Sequence, residues 1–301
     1  MVVTVGQVSG RRHGRAGPGT GGWARGTLPP VTIATHPLAA PFGVEVRGVD
    51  LHADPEPIAD ALRALLAEHQ LLVFRGPDLG ADAQLRLLGC FGPILDESRD
   101  GSGWTYVSNV EEGGVLGEWA FLFHSDLEFT AEPVRVLSLY AIELPDAPTC
   151  TRFASTVRAA ERMDDDLRAR VEGRRAIHVF PLLEPRGDSR YRLAEVDDGA
   201  ARAEHPVLMT HPVTGADLLY TSAMQTDSIV GLPEAESEAL LERCWALLYA
   251  PDNVYEHVWA PGDLVVWDNL ALHHARDAVS GRRTLRRVPV GTVLARLRTN
   301  P

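Results

Sequence analysis

Short β-patterned runs recur along this chain and set its class of fold. The clearest of them is VRVLSLYAIEL, residues 134–144, which leads into a proline-containing turn. Helical patterns are fewer, and they occupy residues 56–70, 81–92, 155–172 and 233–249. Many short strands with a few helices predict a mainly β protein (α+β), either a β-sandwich or a jelly roll flanked by helices. Such a fold can hold a ligand between its two sheets.

One folded domain is predicted over residues 31–301, because a chain of 301 residues with 45% hydrophobic content can bury one large core. Residues 1–30 are rich in Gly, Arg and Pro and lack apolar periodicity, which predicts a disordered leader. Residues 155–205 are interpreted as a long insertion. Within it, residues 184–204 are polar and irregular, and two interpretations stay open: a lid over a site or a solvated loop.

The composition limits the ligands that this chain can bind. A formal net charge of −12 argues against a nucleic-acid partner, which usually requires a basic face. The chain also has no lysine, so its 29 basic residues are all arginine. This absence excludes the P-loop lysine, the Schiff-base lysine and the kinase strand lysine. A small-molecule partner is therefore expected, and any anion must be held by arginine, histidine, hydroxyl or backbone groups.

The sequence favours a cytoplasmic protein without a membrane partner. No apolar run approaches the roughly 18 residues of a membrane span, and the N-terminus lacks the basic-then-apolar order of a secretory signal. The three cysteines, Cys90, Cys150 and Cys244, are too scattered for a disulfide framework or a zinc ribbon and are interpreted as reduced thiols. Assembly into a homo-oligomer stays open.

The stretch FLFHSDLEFTAEP, residues 121–133, places His124 and Asp126 two positions apart in an apolar, strand-like run. Alternate side chains of a strand point to the same face, so the imidazole and the carboxylate are expected to converge. The triplet alone is weak, because 11 histidines and 41 acidic residues produce about 1.5 such triplets by chance. A second histidine is needed, since two imidazoles and one carboxylate form the facial triad that binds Fe(II) with open coordination positions.

The pair His273 and His274 is the best source of that third ligand. It follows the buried strand DLVVWDN, residues 263–269, and strand alternation allows one of the two side chains to point inward. The other histidines lie in the leader or at segment edges, except for His178, whose apolar surroundings are typical of core packing. The pattern by itself does not choose between His273 and His274.

Several segments, in their order along the chain, resemble the Fe(II)- and 2-oxoglutarate-dependent dioxygenases related to taurine dioxygenase, the TauD/TfdA-like family. The resemblance extends from about Val31 to Val293. It is carried by GVEVRGVDL, HQLLVFRG, FG after the second helix, HSD followed by ELP, HPVTG, and PGDLVVWDN before the histidine pair. It implies a double-stranded β-helix, the cupin-like jelly roll, with Fe(II), 2-oxoglutarate and O2. The implied catalytic metal ligands are His124, Asp126 and His274.

The resemblance also implies a binding site for 2-oxoglutarate. Thr151, 25 residues after Asp126, is expected to provide a hydroxyl partner. Arg287 is expected to bind the distal carboxylate and Arg283 to lie near the metal-bound end, since a planar guanidinium binds a carboxylate bidentately. The loop that precedes these arginines is shorter than usual in the family. The register is therefore open among Arg282, Arg283, Arg286 and Arg287.

The implied reaction is hydroxylation of an unactivated C–H bond of a small molecule, with release of succinate and CO2. The ligand Asp126 favours hydroxylation, because halogenating relatives lack this carboxylate and bind chloride in its place. Desaturation, epoxidation or cyclisation by the same oxidising chemistry stay open. The expected substrate is an amino acid or an intermediate of secondary metabolism. The residues predicted to contact it are Trp104, Tyr106, Asn109, Trp119, Phe121, Tyr220 and Met224.

Two competing hypotheses use the same triad. One is a non-catalytic, cupin-like protein that binds a metal and a ligand. The other is a hydrolase that holds zinc in these ligands.

Overall fold

A computed structural model of the chain describes residues 2–4, 32–181 and 187–292. Most of the predicted leader therefore lies outside the described residues, as do residues 182–186 of the insertion. The described part of the leader, Val2–Thr4, forms a strand that pairs antiparallel with Thr32–Pro37. This pairing differs from the disorder predicted for these three residues.

The described residues form eighteen strands and five α-helices. The strands are β1 Val2–Thr4, β2 Thr32–Pro37, β3 Val44–Arg47, β4 Leu71–Phe74, β5 Thr105–Ser108, β6 Val115–Leu116, β7 Phe121–His124, β8 Val136–Glu143, β9 Cys150–Ser155, β10 Arg175–Phe180, β11 Ala201–Pro206, β12 Leu208–Thr210, β13 Asp217–Leu219, β14 Thr226–Ile229, β15 Val254–Val258, β16 Leu264–Asp268, β17 Leu272–Arg276 and β18 Thr284–Val290. The helices are α1 Ala59–His69, α2 Ala81–Gly89, α3 Thr156–Glu161, α4 Asp165–Val171 and α5 Glu234–Leu248.

Two sheets make up the body of the domain. The larger has nine strands in the order β1-β2-β3-β4-β16-β8-β18-β5-β6, and the smaller has four in the order β15-β9-β17-β7. Neighbouring strands in both sheets are antiparallel, except for the parallel pairs β3–β4 and β5–β6. Chain-distant strands thus become neighbours, as in a jelly roll.

The two sheets pack face to face around one apolar core. Leu137 of β8 and Trp267 of β16 belong to the same buried cluster as Phe153 of β9 and Leu272 of β17. Full burial of each such side chain stabilises the fold by roughly 1.5–3 kcal/mol. This architecture confirms the predicted mainly β fold, and the space between its sheets is where a ligand is expected.

Helices α1 and α2 cover the outer face of the larger sheet. Leu62 and Leu66 of α1 and Leu87 of α2 pack with Val266 of β16 and Val288 of β18 in a second buried cluster. The helical spacing of these leucines is the pattern from which both helices were predicted. In the part of the chain that the structure describes, no helix is both long and apolar enough to cross a membrane.

The predicted insertion folds together with α5. Leu167 of α4, Ala176 of β10 and Leu240 of α5 lie in a third buried cluster. The single helix predicted over residues 155–172 is instead two helices, α3 and α4. The chain breaks between them because the Asp164 side chain caps α4, accepting a hydrogen bond from the Leu167 backbone nitrogen at 2.7 Å.

Candidate metal centre and cofactor pocket

The side chains of His124, Asp126 and His274 converge at one point. His124 ends β7 and pairs in register with His274 of β17, and their ring centroids lie 4.3 Å apart. Oδ1 of Asp126 lies 3.2 Å from Nε2 of His124 and 3.5 Å from Nε2 of His274. One ligand atom from each residue lies within 4.8 Å of the other two. Three donors at this spacing can hold one metal ion.

Asp126 reaches this point from a turn. The strand predicted to continue through Asp126 ends at His124, and Leu127 in the following turn has a left-handed φ of 58°. Asn269 holds the turn in place, since its Oδ1 accepts from the Asp126 backbone nitrogen at 3.0 Å and its Nδ2 donates to the Asp126 carbonyl at 3.1 Å. The two side chains converge as predicted, but through a turn rather than through alternation along one strand.

Replacing Asn269 with alanine is expected to lower Fe(II) affinity about 10- to 100-fold, the usual effect of removing a group that orients a metal ligand. Anaerobic Fe(II) titration measures this loss. Asn253→Ala is the matched control, because Asn253 is equally buried and donates to the carbonyls of Ser155 and Leu248, both at 2.9 Å. The control is expected to lose stability but keep its metal affinity, and equal losses of affinity in both variants would contradict the role of Asn269.

The protonation of the three groups suits a divalent metal. Nδ1 of His124 lies 2.8 Å from the Leu122 carbonyl oxygen, which can only accept, so Nδ1 carries the proton and Nε2 presents its lone pair. Burial lowers the pKa of His274 to about 3, which keeps this imidazole neutral at pH 7. Burial alone would raise the pKa of Asp126, but the close approach of His124 and His274 lowers it overall. Two neutral imidazoles and one carboxylate fit Fe(II).

His273 points to the opposite side of β17, into a buried polar cluster. Its Nδ1 lies 3.2 Å from the Tyr249 hydroxyl. In the same cluster, Nδ1 of His178 lies 2.6 Å from Oε1 of Glu128, and both side chains are fully buried. Burial raises the pKa of Glu128, but the close contact with His178 outweighs it and lowers the pKa to about 2. His178 is thus a buried core histidine, as predicted, and its partner is a charged carboxylate.

A pocket opens beside the triad, between the two sheets. Its apolar walls include Val107, Leu139 and Trp267. Thr151 also lines it, and its hydroxyl oxygen accepts a hydrogen bond from Nε1 of Trp259 at 3.0 Å. The Thr151 hydroxyl proton is then left to donate to a ligand in the pocket.

Arg283 brings an uncompensated positive charge to the same pocket. The residue is 2% exposed, and its Nε and Nη1 have no hydrogen-bond partner among the described residues. Burial, reinforced by the charge of Arg276, lowers the pKa of Arg283 to about 9, so that the guanidinium is still charged at pH 7. A buried cation with unused donors is costly unless an anion pairs with it. The surroundings of Arg283 therefore fit a carboxylate ligand.

Arg287 lines the same pocket, but each of its three nitrogens already donates to a carboxylate. Its Nη2 and Nε donate to Oδ2 of Asp126 at 2.8 and 3.2 Å, and its Nη1 donates to Glu97. Burial lowers the pKa of Arg287 to about 10, which leaves it charged at pH 7. Arg287 thus binds Oδ2 of Asp126, the triad carboxylate, and also pairs with Glu97.

The residues predicted to contact a substrate are scattered in the structure. Phe121 lines the pocket. Trp104 packs with the cluster beneath α1 and α2, and Tyr106 lies edge-on to it at 4.8 Å. Tyr106 is opposite Arg286 in the sheet, on the helix-covered side, because alternation along β5 points Val107 to the pocket instead. Trp119 is 53% exposed. The structure thus places Trp104, Tyr106 and Trp119 outside the pocket.

The other three candidates support the pocket from behind. Asn109 accepts a hydrogen bond from the Arg283 backbone nitrogen at 2.9 Å and donates to the Gly281 carbonyl at 2.7 Å. Met224 is buried against Phe121. Tyr220 is fully buried and its hydroxyl lies 3.4 Å from that of Ser125. These three residues contact residues of the site and do not line the pocket itself.

Four residues of the site were missed by the sequence predictions. Asn269 stood in the quoted WDN motif, and Glu128 followed the HSD triplet by two positions, so both carried a local signal. Trp259 and Glu97 carried none, because each contacts the site through a partner more than one hundred residues away in the chain.

A jelly roll that holds two histidines and one carboxylate beside a pocket between its sheets has the architecture of a non-haem Fe(II) oxygenase. Residues 34–288 match the family described as "Taurine catabolism dioxygenase TauD, TfdA family". The chain belongs to this family.

Individual relatives agree with that assignment. The alpha-ketoglutarate-dependent 2,4-dichlorophenoxyacetate dioxygenase of Cupriavidus pinatubonensis is 30% identical over 85% of this chain and 97% of its own length. Pentalenolactone F synthase of Streptomyces avermitilis is 30% identical over 82% of this chain and 90% of its own length. The crystal structure of AAD-2 in complex with Mn(II) and N-oxalylglycine superposes with a TM-score of 0.73 at 26% identity, covering 87% of this chain and 98% of that one.

The chain is therefore an Fe(II)- and 2-oxoglutarate-dependent dioxygenase, 2-oxoglutarate being another name for alpha-ketoglutarate. The predicted enzyme class, its cupin-like jelly roll and its use of Fe(II), 2-oxoglutarate and O2 are confirmed. The competing hypotheses of a non-catalytic binding protein and a zinc hydrolase do not agree with these relatives.

Proposed function

We propose that this dioxygenase hydroxylates an unactivated C–H bond of a small molecule, an amino acid or a natural-product intermediate, with release of succinate and CO2. The observation that carries the proposal is one apolar-walled pocket that receives both the His–Asp–His donor set and the unpaired guanidinium of Arg283. Similarity to pentalenolactone F synthase supports a natural-product substrate. Desaturation, epoxidation and cyclisation are alternative outcomes of the same chemistry, which product analysis distinguishes.

In this proposal His124, Asp126 and His274 hold Fe(II). The iron, with 2-oxoglutarate and O2, supplies the oxidising chemistry. The protein contributes orientation and the exclusion of water, and the apolar walls formed by Val107, Leu139 and Trp267 serve the second purpose.

The roles proposed for the two arginines are the reverse of the sequence prediction. Arg283, rather than Arg287, holds the distal carboxylate of 2-oxoglutarate, together with the Thr151 hydroxyl. Two facts support this exchange: Arg283 has unused buried donors, and those of Arg287 are bound to Asp126 and Glu97. The sequence pattern assigned the distal carboxylate to Arg287, but the short preceding loop left the register of the arginines open.

Replacing Arg283 with glutamine is expected to weaken 2-oxoglutarate binding about 10- to 100-fold, since a hydrogen-bonded charge pair contributes roughly 1.5–3 kcal/mol. Titration of the anaerobic Fe(II) protein with 2-oxoglutarate measures the change. Arg286→Gln is the matched control, because Arg286 is also buried but faces α2, donating to Gln84 and to the Leu79 carbonyl. If Arg287→Gln weakens 2-oxoglutarate binding more than Arg283→Gln does, the proposed exchange is incorrect.

The described part of the insertion supports its interpretation as a cover rather than a solvated loop. The Gly187 carbonyl accepts a hydrogen bond from the Leu122 backbone nitrogen at 2.7 Å. A Cβ on Gly187 would lie 2.1 Å from the Phe121 ring, so the backbone packs directly on this pocket residue. We propose that residues 187–200 close one side of the pocket within a single domain.

The direct test of the function is coupled consumption of O2 and release of succinate, dependent on Fe(II) and 2-oxoglutarate. A panel of amino acids and natural-product intermediates is offered, and the product is identified by its mass shift. Wild-type protein is expected to add one oxygen atom to a substrate, and His124→Ala to abolish both signals. Folded, iron-loaded protein that turns over no 2-oxoglutarate across the panel would contradict the proposal.

A further inference from the structure

The charges around the pocket are unevenly compensated. On one side, Arg283 is buried with unused donors. On the other, Arg287 is shared between Asp126 and Glu97. The two sides therefore differ in what they can bind: the first attracts an anion, and the second has little attraction left for one.

Glu97 compensates the charge of Arg287 at Nη1, the one nitrogen that Asp126 does not engage. Nε and Nη2 of Arg287 are engaged with Oδ2 of Asp126, the oxygen directed away from the two histidines. The remaining donor group, Nη1, is bound to Glu97. The Glu97 and Arg287 side chains are 18% and 11% exposed, so this pair lies at the partly open edge of the site.

The loop that carries Glu97 is held in place. The backbone nitrogen of Ser98 donates to the Asp96 carboxylate at 2.9 Å, and the Ser98 hydroxyl lies 3.4 Å from the backbone nitrogen of Gly103. Upstream, the Leu95 backbone nitrogen donates to the Pro289 carbonyl of β18 at 3.0 Å, two residues from Arg287. Glu97 thus lies in an irregular segment that hydrogen bonds hold on either side of it.

The relatives of this chain include a dioxygenase named for 2,4-dichlorophenoxyacetate, a carboxylate. An arginine with a free donor beside the metal centre would suit such a substrate. We infer that Glu97 determines substrate charge in this enzyme: by occupying Nη1 of Arg287 it selects a substrate that is uncharged where it faces Arg287, and it disfavours carboxylates and sulfonates. This inference rests on the proposed function and specifies its substrate class.

The test compares two probes that differ only in charge, 2,4-dichlorophenoxyacetate and its neutral amide, 2,4-dichlorophenoxyacetamide. Binding of each to the anaerobic protein loaded with Fe(II) and 2-oxoglutarate is measured by calorimetry. The proteins are the wild type, Glu97→Gln, and Glu143→Gln as the matched control. Glu143 also pairs with an arginine, Arg282, but on the exposed surface.

Wild-type protein is expected to bind the amide at least as tightly as the acid. Glu97→Gln removes the negative charge that compensates Arg287, so affinity for the acid is expected to rise at least about tenfold, while affinity for the amide stays unchanged. A merely structural effect would change both probes together. Glu143→Gln is expected to match the wild type.

Two results would overturn the inference: tighter wild-type binding of the acid than of the amide, or no gain in acid binding by Glu97→Gln. Either leaves the proposed function intact, provided that 2-oxoglutarate still binds the wild-type protein. Failure of 2-oxoglutarate to bind the wild type would contradict the proposed function itself, and the inference with it.

Discussion

Replacing His274 with alanine should reduce 2-oxoglutarate turnover by at least about a thousandfold, which corresponds to roughly 4 kcal/mol of lost transition-state stabilisation. The reason is that His274 supplies one of three donors within 4.8 Å of one another, and the other two cannot hold the metal in the same geometry. Succinate release and bound iron per protein are the two measurements.

The adjacent His273 provides the control for this prediction. It is fully buried, as a ligand would be, but it faces Tyr249 on the other side of β17. His273→Gln is expected to lower stability while retaining iron and most of the turnover. The opposite result, with iron lost from the His273 variant and kept in the His274 variant, would reverse the assignment of the third ligand.

Breaking the buried pair between Glu128 and His178 should cause a large loss of folding stability. Glu128→Gln is expected to lower the free energy of unfolding by about 3 kcal/mol or more, because changing one partner leaves the other desolvated and without its native polar contact. Both side chains are fully buried, with Oε1 and Nδ1 2.6 Å apart. Chemical denaturation of the metal-free protein measures the change without interference from metal binding.

A double-mutant cycle separates the coupling energy of this pair from the cost of lost packing at each residue. Glu128→Gln combined with His178→Gln is expected to cost less than the two single changes added together, because each single change already removes the same interaction. Glu143→Gln, which breaks the exposed pair with Arg282, is expected to cost less than about 1 kcal/mol. Strict additivity of Glu128 and His178 would show that the pair does not contribute as a unit.

The sequence patterns predicted the elements that form the body of the fold. Strand β8 and helices α1 and α2 formed where apolar periodicity indicated, because those side chains enter the two largest buried clusters. The helix over residues 155–172 was predicted as one element, since periodicity does not register the capping side chain of Asp164 that divides it. Periodicity predicts which face is buried better than it predicts where an element stops.

In the candidate site, too, the sequence predicted some features and missed others. Strand alternation limited the histidine pair to one inward side chain, and the structure directs His274 to the triad. Alternation failed for Asp126, which depends on a turn held by Asn269 from the far end of the chain. The contact of Glu97 with Arg287 joins residues 190 positions apart, so no local pattern carried it. Local motifs thus indicated the metal ligands, whereas the surrounding charges needed the three-dimensional structure.

One spectroscopic measurement tests the central claim most directly, which is that one site holds Fe(II) and 2-oxoglutarate together. Anaerobic Fe(II) protein is titrated with 2-oxoglutarate, and the visible metal-to-ligand charge-transfer absorption is followed. The wild-type protein is expected to develop this band to a limit of one 2-oxoglutarate per protein, and Asp126→Ala is expected to show none. A folded, iron-loaded wild-type protein that develops no band would contradict the assignment of this site.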